Sequence, residues 1–324
     1  MLVLVVAAAS IHVSAIGALA GERIREFAIP SPRSGPFEVT AGPDGNLWFT
    51  EEFNPGKIGR VTTMGKFVEY PVPTRDSAPE GIAIGPDRNV WFTELFGNKI
   101  GMVTTEGVFT EYKVPTAYSY PTGITAGPDG NLWFTEWYAN KIGKATTDGA
   151  FTEYVIPTTN SAPAGITAGP DGDLWFTEES ASKIGRVTPA GRFIEYPIPT
   201  RDSYPFGITV GPDGALWFTE GADKIGRITT EGIFTEWPIP TREGNPLGIT
   251  TGSDGNAWFT EEIGNTVARI TVNGAFTQYR VPTVGSGPRG IAAGPDGNLW
   301  FAETDGNKIG AIRPSTTLTS GSRR

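Results

Sequence analysis

Glutamate is the residue best placed to do chemistry in this chain, because its usual rivals are scarce. There is no cysteine and a single histidine, His12. Thiolate nucleophiles, thiolate metal sites and histidine acid–base chemistry are therefore excluded from everything beyond residue 12. A Trp-Phe-Thr/Ala-Glu element recurs seven times and carries Glu51, Glu94, Glu136, Glu178, Glu220, Glu261 and Glu303. A residue present in every copy serves the scaffold, as a hydrogen-bond partner for backbone or threonine in its own sheet. Residues that differ between copies are free to serve a ligand, and two such sets stand out. One directly follows a proline in each copy: Phe37, Glu80, Thr122, Ala164, Phe206, Leu247 and Arg289. The other directly follows the motif glutamate: Glu52, Leu95, Trp137, Glu179, Gly221, Glu262 and Thr304. Glu52 and Glu80 come from adjacent copies and can share a proton or hold a divalent ion, since hard cations take oxygen ligands. Glu262 and Arg289, also from neighbouring copies, read as a salt bridge.

The elements that position these residues follow from the repeat. The motif tryptophans, Trp48 to Trp300, are spaced by 43, 42, 42, 42, 41 and 42 residues. In the third copy, Thr122 to Gly127 leads into the turn Pro128-Asp129-Gly130-Asn131, followed by Leu132 to Glu136, Lys141 to Thr146 and Phe151 to Ile156. An Asp-Gly turn between apolar runs is a hairpin signal, because glycine supplies the positive φ of a tight turn. Four short strands in a repeat of about 40 residues is the arithmetic of a β-propeller blade. The fourth-strand pattern (Phe67 to Tyr70 and its equivalents) occurs six times after the motif, and its seventh counterpart, Arg25 to Pro30, lies at the N-terminus. The fold expected is all-β: a seven-bladed propeller whose last blade is closed by the N-terminal strand. The two variable sets then meet at one mouth of the central channel. With Tyr120, Tyr138, Tyr204, Phe53 and Phe96 nearby, they form a funnel of aromatics, four carboxylates and one arginine, suited to a small cyclic peptide, a peptide or a glycan.

Composition agrees with this reading. Forty-three glycines and 27 prolines among 324 residues disfavour a helical fold. A net charge of −9 gives no reason to expect a nucleic-acid partner. Residues 1–20 carry no charged side chain and end in Ala18-Leu19-Ala20, reading as a signal peptide, with an uncleaved anchor as the other possibility. The expectation is a secreted or extracytoplasmic monomer with no membrane contact beyond that segment, a propeller over 21–312 and a disordered tail over 313–324.

The run Gly-Ile-Thr-x-Gly-x-Asp-Gly-x-Leu-Trp-Phe-Thr-Glu, followed by Asn-Lys-Ile-Gly-Arg and Phe-Thr-Glu-Tyr-x-Ile-Pro-Thr, resembles the virginiamycin B lyase (streptogramin B lyase) family over residues 24 to 312. The resemblance implies a seven-bladed propeller that linearises cyclic depsipeptide antibiotics by magnesium-assisted elimination. It also implies where the machinery would lie. The family's base is a histidine after the proline opening the last inner strand, with a second histidine one blade earlier; here these positions are Arg289 and Leu247. The metal carboxylates precede that proline and follow the last motif tryptophan by four residues, where this chain has Gly287 and Thr304. A substrate-contacting tyrosine corresponds to Phe37. The residues expected to line the binding site are Phe37, Glu80, Tyr120, Trp137, Phe206, Leu247 and Arg289, with Glu52 and Glu80 as metal candidates. A non-catalytic propeller binding a peptide or glycan in the same funnel is the competing expectation.

Overall fold

Each repeat forms a four-stranded antiparallel sheet because its apolar residues alternate with period two between tight turns. The computed structural model describes residues 24–53 and 55–314 and contains seven such sheets arranged as blades around a channel. Blade three shows the pattern: Pro121–Ala126 lines the channel, then Leu132–Glu136, Lys141–Ala145 and Phe151–Val155 step outward. Gly130 turns the first hairpin at φ 75°. Asp129 Oδ1 accepts from the Asn131 N–H at 3.3 Å and from Trp133 Nε1 at 2.9 Å, so one carboxylate caps the turn and anchors the indole. The signal-like segment 1–20, with His12, lies outside the described residues, as does the tail from 315 onward.

Blades are joined by aromatic packing. Trp133 is fully buried and stacks on Tyr154 of its own blade at 5.7 Å between ring centroids. Its other neighbours include Ile166, Leu174, Phe176 and Val187 of the next blade, so each motif tryptophan seals a blade-to-blade interface. The ring closes through Arg25–Ala28, which pairs antiparallel with Lys308–Ile312 in the register Arg25↔Ala311 to Ala28↔Lys308. Phe27 then stacks on Trp300 at 5.4 Å, taking the place filled elsewhere by a tyrosine or tryptophan of the fourth strand.

One expectation is corrected. The motif glutamates do not bond to the backbone or threonine of their own sheet; the threonines that act on Glu94 and Glu261, Thr74 and Thr241, come from the loop ahead of the blade. Neither carboxyl oxygen of Glu136 has a partner at hydrogen-bond distance; the Ser119 hydroxyl acts on it weakly, and it senses the charge of Glu153 on the fourth strand. Where two such carboxyls come within bonding distance, as Glu178 and Glu195 do, they can bond only by sharing a proton. Burial pushes Glu136 up to about 8, with the Glu153 charge adding and Lys141 opposing. Burial also acts on Glu153, but hydrogen bonds from Lys141 and Thr116 outweigh it and hold that carboxyl below its usual value. The same partnership is found for Glu51 with Glu69, Glu94 with Glu111, Glu178 with Glu195, Glu220 with Glu236 and Glu303 with Glu26. Blade six differs: Gln278 Nε2 donates to Glu261 Oε1 at 2.8 Å, so an amide hydrogen stands where the carboxyl pairs of blades one, two, four, five and seven must share a proton.

Around the channel the inner strands approach so closely that several positions tolerate only glycine. A Cβ on Gly165 would run into the Phe206 carbonyl oxygen of the next blade. Gly165→Ala is therefore expected to destabilise by roughly 1–3 kcal/mol, although Gly→Ala in open extended backbone ordinarily stabilises. Chemical denaturation beside the wild type checks this, and an unchanged midpoint would show that the channel can widen.

Candidate functional site

Each inner strand has a register irregularity between its opening proline and the third residue after it, as between Pro121 and Ile124. The bulge re-aims the residue after the proline toward the channel mouth. The preceding loop is held in left-handed backbone at non-glycine positions, with φ 52° at Tyr120, 47° at Tyr204 and 49° at Asn245. That conformation costs about 1–2 kcal/mol per residue and is retained where the loop must place a side chain. The loop is pinned from the second strand: the Trp137 N–H donates to the Tyr120 carbonyl at 3.0 Å, and the Glu262 N–H to the Asn245 carbonyl at 3.1 Å.

These devices build one funnel of about 480 Å³ at the mouth of the channel. Phe37, Glu80, Tyr120, Trp137, Phe206, Leu247 and Arg289 all line it, as do Phe96, Tyr204, Glu179 and Glu262; Glu52, Phe53, Tyr138 and Thr304 do not. Asn245 also lines the funnel and escaped the sequence reading. Its signal was available, because the position before the inner-strand proline varies as freely (Gly35, Ala78, Tyr120, Ala162, Tyr204, Asn245, Gly287) as the one after it.

One wall is aromatic. Tyr120 meets Phe96 edge-on at 5.9 Å and lies 5.5 Å from Tyr138, while Trp137 Nε1 donates to Glu179 Oε2 at 3.0 Å. The opposite wall is charged. Arg289 Nε donates to Glu262 Oε1 at 2.8 Å, and a second guanidinium nitrogen reaches the same oxygen at 2.7 Å. Asn245 Nδ2 holds the other oxygen, Glu262 Oε2, at 2.8 Å. The guanidinium carbon sits 5.0 Å above the Phe37 ring, so Arg289 is clamped between an anion and an aromatic face.

Glu80 is the exception on this side. It is buried, lines the funnel and makes no side-chain hydrogen bond among the described residues. Burial pushes it up to about 8, with Glu52 adding to the rise and Arg289 opposing it. Burial also raises Glu52, against Arg289. The two carboxyls sense one another electrostatically, yet among the described residues no group of three or more His, Cys, Asp or Glu side chains gathers to hold a metal ion.

The family model described as the Virginiamycin B lyase family matches residues 6–202 and 166–320, nearly the whole chain. The chain belongs to the virginiamycin B lyase family. A solved streptogramin B lyase is 43% identical with a TM-score of 0.87, covering 90% of this chain and 97% of that one. A catalytically inactive histidine-to-alanine variant of virginiamycin B lyase from Staphylococcus aureus, solved with quinupristin, is 40% identical with a TM-score of 0.87, over 91% of this chain and 100% of that one. A virginiamycin B lyase from Saccharopolyspora erythraea matches more locally, at 49% identity over 43 residues, so the chain spans only 14% of that relative's length and 13% of its own.

Placed on this structure, the two positions that the resemblance implies for magnesium do not suit a cation. Gly287 offers no side chain, and the Thr304 hydroxyl already donates to the Pro36 carbonyl at 2.6 Å. The base position is a guanidinium committed to Glu262.

Proposed function

We propose that this virginiamycin B lyase family member is a ligand-binding propeller: it holds an amphipathic cyclic peptide in the funnel and does not carry out the family's histidine-dependent elimination. The Arg289–Glu262 pair carries this reading, since it fills the family's base position with a group that stays protonated and is already neutralised by its partner. The relative from Staphylococcus aureus supports it, being described as inactive after loss of one histidine and solved with quinupristin. Chemically, the funnel offers flat faces at Tyr120, Trp137, Tyr204 and Phe206 for apolar parts of a ligand. Glu80, neutral near pH 7, would donate its hydroxyl to a ligand carbonyl, as buried carboxylic acids do. The leader-like residues 1–20 support a place outside the cytoplasm, which N-terminal sequencing of the exported protein tests.

Titration of quinupristin against the protein, followed by calorimetry and by mass spectrometry of the recovered compound, tests the function. Saturable binding with the compound recovered intact is expected, and Trp137→Ala should weaken it by about tenfold or more, on the order of 1–3 kcal/mol. Absence of binding overturns the reading. Ring opening would favour the second reading, a lyase in which the unpartnered Glu80 carboxyl serves as base; Glu80→Gln would then abolish turnover while the ligand still bound.

A further inference from the structure

Two exceptions to the sevenfold pattern coincide inside the channel. The second residue after the inner-strand proline is glycine in six blades, Gly81, Gly123, Gly165, Gly207, Gly248 and Gly290, but Glu38 in blade one. The motif threonines form a hydroxyl relay at this level. Thr93 Oγ1, for example, accepts from the Gly81 N–H at 2.9 Å and donates to the Thr122 carbonyl of the next blade at 2.7 Å. Thr50, Thr135, Thr177, Thr219 and Thr260 repeat this, but blade seven has Ala302 instead. The break therefore falls at the interface where Glu38 stands. Its carboxyl turns back across that interface, with Oε1 2.6 Å from where a Cβ on Gly290 would lie. Its one hydrogen bond is a long one from the Val39 N–H, at 3.4 Å.

Below the funnel the channel continues as a cavity of about 170 Å³ that shares Phe37, Thr122, Phe206 and Leu247 with it. Glycines and isoleucines such as Ile82, Ile124 and Ile166 make most of the wall, and Glu38 is the only titratable side chain among the lining residues. We propose that this channel is a binding site for a primary alkylammonium group, which lays its carbon chain along the glycine–isoleucine wall and sets its –NH3⁺ on the Glu38 carboxylate. The volume matches the ~150 Å³ that accommodates a benzene-sized guest. A cation gives up its water to enter so narrow a channel only if a counter-charge waits there, and one carboxylate without a cationic partner supplies it. A lysine-like side chain of a peptide seated in the funnel would reach the site, so the inference deepens the binding reading by naming the group that the ligand presents.

Proton linkage gives the site a signature. Burial raises the Glu38 carboxyl to about 7, with only the Val39 N–H opposing it. No charged side chain acts on it; Glu80 and Arg289 of the funnel above, with Glu52 beside it, act on one another. The amine stays protonated to about pH 10 while Glu38 must be ionised to hold it, so affinity rises about tenfold from pH 6 to pH 8.

The test uses n-butylammonium chloride alone, read by the methyl NMR shifts of the channel isoleucines, so its outcome is independent of any peptide binding. Saturable shifts that strengthen about tenfold from pH 6 to pH 8, and vanish in both Glu38→Gly and Glu38→Gln, are the expected result. Glu38→Gly gives blade one the residue carried by the other six, and thermal unfolding verifies that it is folded. The proposal is overturned by absence of saturation, by equal binding of 1-butanol, by tighter binding of calcium chloride, or by binding that survives in Glu38→Gly.

Discussion

Replacing Trp133 by alanine is expected to cost roughly 3–5 kcal/mol of stability, the largest loss from any single side chain considered for this propeller. The indole is fully buried, stacks on Tyr154 and forms one wall of the core shared with the following blade. Its removal leaves a cavity between two sheets whose backbones are held in register on either side, so collapse cannot fill it. Trp133→Phe keeps most of the apolar surface but deprives Asp129 of the 2.9 Å bond from Nε1, and should cost about 1–2 kcal/mol. Trp137 is an internal control: it is 38% exposed at the rim, and its replacement by alanine should leave stability nearly unchanged while weakening ligand binding. Urea unfolding of the three variants separates these cases. Equal losses for Trp133→Ala and Trp137→Ala would contradict the division between scaffold and site.

The second large effect is a loss of stability as pH rises. Six motif carboxyls, Glu51, Glu94, Glu136, Glu178, Glu220 and Glu303, are raised to about 8 in the folded state, chiefly by burial. A carboxyl whose folded value lies above its unfolded value binds more protons folded than unfolded. Its contribution is complete below the unfolded value of 4.5 and is lost as pH climbs through about 8, at up to roughly 1.4 kcal/mol per pH unit for each group. Glu26, Glu69, Glu111 and Glu153 are lowered, so their contribution is lost in the other direction, as pH falls below about 4.5. The melting temperature should therefore peak near pH 5 and decline toward pH 9. Glu178→Gln replaces the proton shared with Glu195 by an amide hydrogen and should become relatively more stable than the wild type as pH increases. Glu261→Gln, in the blade where Gln278 already supplies that hydrogen, should show no such gain. A flat melting profile from pH 5 to pH 9 would disprove the shared proton.

The fold was legible in the sequence because every blade repeats the same signals at the same spacing. The missing seventh copy of the fourth strand sufficed to predict that Arg25–Ala28 closes the ring. The convergence of most of the two variable sets on one mouth was legible for the same reason, although Ala164, Glu52 and Thr304 fall outside the funnel, as was the pairing of Glu262 with Arg289. The acid pairs were not. Glu136 and Glu153 are separated by the intervening third strand in sequence, and only the pleat shows that they share a face. Glu38 was missed for a different reason: the comparison of copies stopped one residue short of it, at Phe37. The same comparison carried one position further would have set Glu38 against six glycines and Ala302 against six threonines.

The pairing of the first strand with the last also governs timing. As the chain is made, the six blades from Pro36 to Arg280 can each complete from contiguous sequence, while the strand at Arg25–Ala28 waits for Lys308–Ile312 to emerge. Joining ends so far apart costs loop-closure entropy that grows only with the logarithm of the separation, so the delay is set by synthesis rather than by the search. Until then the assembly is an open arc with two unpaired strand edges. A circular permutant opened inside blade one, in the turn between Lys57–Val61 and Phe67–Pro71, would shift that vulnerable interval to that blade without altering the finished ring.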